Sequence, residues 1–106
     1  MPDPSEKRRR KEALARWKAD ERAAARRKLP LPNDQMRALF DMLADGLPRQ
    51  GCDRTLRLVR AWLEEQGLPT NPVEEWLVAN GGCCDCEALA NSEQVWRDAI
   101  QDLGTE

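Results

Sequence analysis

Four cysteines and no histidine set the chemistry open to this chain. Cys83, Cys84 and Cys86 fall within four residues of one another, and Cys52 stands well upstream. The commonest general acid–base residue is missing, so a Ser/His or Cys/His nucleophilic pair is excluded. Thiolates are soft ligands, and Cys52, Cys84 and Cys86 can supply three corners of a zinc tetrahedron at about 2.3 Å. The fourth ligand can be Cys83 or a carboxylate from Asp53, Asp85 or Glu87. Cys83 ranks lower, because two adjacent cysteines are awkward ligands for one ion. Two other fates stay open: Cys84 and Cys86 as a redox-active pair, or all four thiols as inert, small buried hydrophobes. The redox reading lacks the C-x-x-C after a strand that thioredoxin-like chemistry uses. Gly81-Gly82 before a helix could cradle a phosphate, but Asp85 and Glu87 repel an anion there.

The elements that must position these thiols read as helices. Asn33 or Asp34 opens one whose Met36, Leu39, Phe40 and Leu43 recur at i, i+3, i+4 and i+7, a buried stripe. Gly46, followed by Pro48, is its expected stop. Cys52 follows in a turn, and Asp53 caps the next helix, with Leu56, Val59, Trp62 and Leu63 inward and Gly67 at its end. Asn71-Pro72-Val73-Glu74 reads as cap, first helical residue and capping box, with Val73, Trp76 and Leu77 inward. Asn80-Gly81-Gly82 then turns the chain into the cysteine cluster. Asn91 or Ser92 opens a last helix bearing Val95, Trp96, Ile100 and Leu103. No segment shows the β-branched alternation of a strand, so the class is all-α.

Charge divides the chain more sharply than hydrophobicity does. The net charge of −2 conceals 11 Lys+Arg against 5 Asp+Glu up to Lys28, and 6 against 14 after it. Residues 6–28 hold no Gly or Pro and are rich in Ala, Arg, Lys and Glu, all strong helix formers. Leu29-Pro30-Leu31-Pro32 ends that helix. Arg8, Arg9, Arg10, Arg26 and Arg27 offer phosphate contacts to RNA, for instance on a ribosome, or pairing with an acidic protein surface. Leu14 and Trp17 are the large apolar side chains of the arm and read as an interface anchor or as its means of docking on the domain. Arg54, Arg57 and Arg60 are expected to pair with nearby carboxylates. No run reaches the roughly 18 apolar residues of a membrane span, and the charged start lacks a secretory h-region. A cytoplasmic location, with reduced thiols, follows as the expectation.

Two blocks carry a family resemblance. Gly51-Cys52-Asp53-Arg54-Thr55-Leu56-Arg57 is one; Trp76-Leu77, Asn80-Gly81-Gly82-Cys83-Cys84-Asp85-Cys86-Glu87 and Leu89-Ala90-Asn91 form the other. Together they resemble a family of short bacterial proteins known only as a domain of unknown function, over roughly residues 29–93. In that pattern the first block reads Cys-Asp-His-Thr, and Arg54 stands where the His would be. A C-x-H with a C-x-C would make a Cys/His zinc site, so the resemblance implies that this chain keeps only three thiols of it. Cys84 and Cys86 match the second block, and Cys83 is an addition.

The expectation is therefore a basic helical arm over 1–28, a Pro-rich linker over 29–32 and an acidic four-helix domain over 33–106. Its expected role is that of a non-enzymatic binding module with zinc on the cysteines and the arm on an anionic partner. A thiol redox protein and a metal-free adaptor are the alternatives.

Overall fold

Ala-rich sequence without Gly or Pro propagates a helix for as long as nothing interrupts it. In the computed structural model, which describes residues 4–101, that helix is α1, Pro4–Arg27. Glu6 in its first turn and Arg26 and Arg27 in its last complement the helix dipole. No residue of α1 is fully buried, yet its two halves differ. Residues 4–18 are exposed, whereas 22–26 are half-buried against the end of the chain's last helix. There the Arg26 guanidinium donates to the Ala99 carbonyl at 2.8 Å, a cation on a helix C-terminus. The prolines of 29–32 break the helix as expected, but the segment is packed: Leu31 is buried and Leu29 lies against the core.

Helix α2 spans Asn33–Gln50, with Met36, Leu39, Phe40 and Leu43 all buried. Gly46 is not its stop. The helix continues through Pro48, and Gly46 is buried where Leu58 crosses, a Cβ there meeting Leu58 Cδ1 at 3.7 Å. Pro48 lies in the last turn, where it gives up the N–H that would reach the Ala44 carbonyl, and only Arg49 and Gln50 follow it in the helix. The stop is Gly51, whose φ of 72° favours glycine and whose N–H returns to the Leu47 carbonyl at 2.8 Å.

Helix α3 is Arg57–Gln66 and helix α4 is Thr70–Ala79. The latter begins before the expected Asn71, with Pro69 as its cap residue. Glu74 pairs with Arg60 at 2.6 Å rather than closing a capping box. Leu58, Val59, Leu63, Val73 and Leu77 complete the core, whereas Trp62 and Trp76 pack on it only partly buried.

The last helix, α5, runs over residues 85–99 in three registers. It is α-helical over Asp85–Glu87, π-helical over Ala88–Ser92 and α-helical over Glu93–Ala99. Asn91 and Ser92 therefore do not open it; they lie in its π segment. Their side chains bond back to the end of α4 and the loop after it instead. Ser92 Oγ donates to the Leu77 carbonyl at 3.1 Å, and Asn91 Nδ2 to the Gly81 carbonyl at 3.0 Å. Gly82 closes this contact so tightly that a Cβ would stand 2.5 Å from Ser92 Oγ and 2.9 Å from Ala88 Cα. Trp96 is buried, tilted against Phe40 at 5.5 Å, with its indole N–H on Asn33 Oδ1 at 2.8 Å. Leu103 lies outside the described residues. The architecture is all-α, without a strand among the described residues: four helices around one core, and α1 extending from it to a long dimension of 58 Å.

Candidate metal centre

Helix α3 lacks a local side-chain cap, because its N-cap residue is Leu56. Exposed N–H groups at a buried helix start need an acceptor. Asp85 supplies it from across the fold. Its carboxylate accepts from Leu58 N at 2.9 Å and Val59 N at 3.2 Å, and its own N–H donates to the Thr55 carbonyl at 3.0 Å. Asp85 is fully buried, so these bonds act where water does not compete. They clamp the Cys52 loop to the head of α5. Asp53, expected to cap α3, instead forms a local turn, accepting from Thr55 N at 3.0 Å, and pairs with Arg57 at 3.3 Å.

The clamp brings together thiols that are distant in sequence. The Cys52, Cys84 and Cys86 sulfurs all lie within 4.8 Å of one another, and the Cys84 and Cys86 sulfurs are 3.5 Å apart. Zn–S bonds of about 2.3 Å place tetrahedral sulfurs roughly 3.8 Å apart, so small side-chain rotations suffice to close the trio on an ion. Backbone N–H groups already face the sulfurs. Those of Cys86 and Arg54 donate to Cys52 and hold its thiol below the usual range. The Glu87 N–H does the same for Cys84. There it is outweighed by burial and by the Cys86, Cys52 and Glu87 side chains, and the thiol is pushed up to about 12. A bound cation would favour the thiolate of Cys84 over its thiol, with release of a proton on binding.

The four proposed fourth ligands are placed differently. Asp85 is committed to α3, and Asp53 to Thr55 and Arg57. Cys83 is exposed and does not join the trio. Glu87 reaches the trio, its Oε1 accepting from Cys84 Sγ at 3.4 Å. Arg54 takes a left-handed φ of 69° with its N–H 3.4 Å from Cys52 Sγ, so position 54 borders the cluster.

Of the arm residues, Arg8, Arg9, Arg10 and Arg27 are exposed, and Arg26 is half-buried on Ala99. Leu14 and Trp17 are 51% and 57% exposed, so they do not dock the arm on its own domain. Sequence reasoning missed the Asp85 clamp and the Ser92–Gly82 contact. The absence of a capping residue before Arg57 was the available signal for the first. A family model described as a protein of unknown function, DUF2695, matches residues 39–91, which hold all four cysteines and Asp85.

The chain belongs to the DUF2695 family. Uncharacterized protein Mb2294 of Mycobacterium bovis is 33% identical over 93 residues, 88% of this chain and 94% of the relative. Uncharacterized protein Rv2271 of Mycobacterium tuberculosis matches with the same identity and coverage. No solved structure matches. The DUF2695 segment runs from the middle of α2 to the π segment of α5, so the matched part of the chain contains the clamp and the thiol trio. No helix among the described residues is long and apolar enough to cross a membrane.

Proposed function

We propose that this DUF2695 protein is a small, non-enzymatic cytoplasmic binding module. In it Cys52, Cys84 and Cys86 hold a structural zinc ion, and the exposed half of α1 engages an anionic surface. The observation that carries the metal reading is the convergence of three sulfurs within 4.8 Å, one from the Cys52 loop and two from the head of α5. A metal there adds a covalent tie between the Cys52 loop and α5, parallel to the Asp85 clamp. A core built by so short a domain gains from such a staple. Glu87 is the side chain best placed to complete the coordination.

Elemental analysis of untagged protein tests this. About one equivalent of zinc is expected, lost in Cys84→Ser. Less than roughly a tenth of an equivalent, with every thiol freely titratable, contradicts it. The 3.5 Å approach of Cys84 and Cys86 favours a second reading, a thiol pair that gives two electrons and two protons to an external disulfide and is reduced again by a dithiol. Rapid alkylation of both at neutral pH in zinc-loaded protein would support that reading over the first.

A further inference from the structure

The large apolar side chains that stand clearly exposed among the described residues are Leu14, Trp17 and Val78. Leu14 and Trp17 lie on one face of α1 with Arg10 and Lys18, at i, i+4, i+7 and i+8. The projecting stretch 4–18 carries seven Lys and Arg against two Glu. Val78, 50% exposed, lies on the outer face of α4 with Asn71, Glu74 and Glu75, at i, i+3, i+4 and i+7. These residues and Ala79 line a hollow of about 450 Å³. It adjoins a second of about 560 Å³, floored by Ala79 and the half-buried Trp76 and bordered by Glu21. One stripe is basic and apolar; the other is apolar with the exposed Glu75 on it, Glu74 being paired with Arg60, and Glu21 and Lys28 stand at its border.

Within a single chain the two stripes are kept apart. α1 is one uninterrupted helix with no hinge residue after Pro4, and its C-terminal half is packed on α5. The exposed half cannot fold back onto its own α4 without breaking that helix. A second copy meets the requirement with no new chemistry. We propose that the Leu14–Trp17 face of each chain docks on the α4 face around Val78 of a second copy, giving a two-fold dimer by reciprocal arm exchange. This rests on reading the arm as a docking element and names its partner. One arm alone offers little against the roughly 1,200 Å² that stable interfaces bury, and reciprocity doubles the contact.

Sedimentation equilibrium of the intact chain at about 100 µM and low salt reads the outcome. The expected mass is twice 12.1 kDa, falling toward the monomer as salt rises. Trp17→Ala and Val78→Arg should each weaken the dimer at least about tenfold while leaving the helical circular dichroism unchanged. A monomeric wild type overturns the proposal, as does a dimer insensitive to either substitution. Monomers that bind RNA through Trp17 would assign the arm to nucleic acid instead and leave its docking role standing. If Trp17→Ala changes neither mass nor RNA binding, the docking role itself fails.

Discussion

The Cys52–Asp85 junction and the projecting half of α1 are opposite solutions to the use of polar residues. At the junction, buried acceptors and donors are matched across elements. Asp85 serves two α3 N–H groups, Ser92 serves the Leu77 carbonyl, and Gly82 leaves no room for a side chain. In the arm, charge faces water and Leu14 and Trp17 bury little. The difference teaches where each kind of substitution will be felt. Changes at the junction should act on folding, and changes in the arm on association.

The largest effect should come from Asp85→Ala. It strands two N–H groups at the start of α3 and frees the Cys52 loop, at a cost of about 3 kcal/mol. For a domain of this size that lowers the melting temperature by on the order of 10–20 °C in a thermal scan. Gly82→Ala comes next. Its Cβ would strike Ala88 Cα, which is backbone and cannot rotate away, so about 2 kcal/mol is expected by urea titration. Ser92→Ala removes the hydroxyl from the Leu77 and Asn80 carbonyls and should cost about 1 kcal/mol. Smallest of all, Leu14→Ala and Trp17→Ala should shift the stability of the monomer by no more than about 0.5 kcal/mol. A Trp17→Ala loss as large as that of Asp85→Ala would erase the distinction between the regions.

Much of this division was legible in the residues, and the failures share one cause. The α2 stripe was readable because helical period and burial coincide at Met36, Leu39, Phe40 and Leu43. The trio Cys52, Cys84 and Cys86 was readable because both cysteine segments precede helices that pack together. Local rules failed where a side chain serves a distant element. Asp53 had the right type and place for a cap, but Asp85 took the role from 27 residues away. Asn91 and Ser92 had cap chemistry, but their bonds run to the Gly81 and Leu77 carbonyls across the fold. Gly46 and Pro48 looked like a stop, yet burial under Leu58 kept the helix going. Nothing in helical period or capping chemistry announces a partner that only the tertiary fold supplies.

The central claim is that the junction closes on a metal. Zinc K-edge X-ray absorption on purified, zinc-loaded protein tests it most directly, because it reads ligand type and distance together. The account predicts three sulfur ligands at about 2.3 Å and one lighter oxygen ligand near 2.0 Å. A shell of oxygen and nitrogen alone, or protein that retains no zinc while folded, would contradict it.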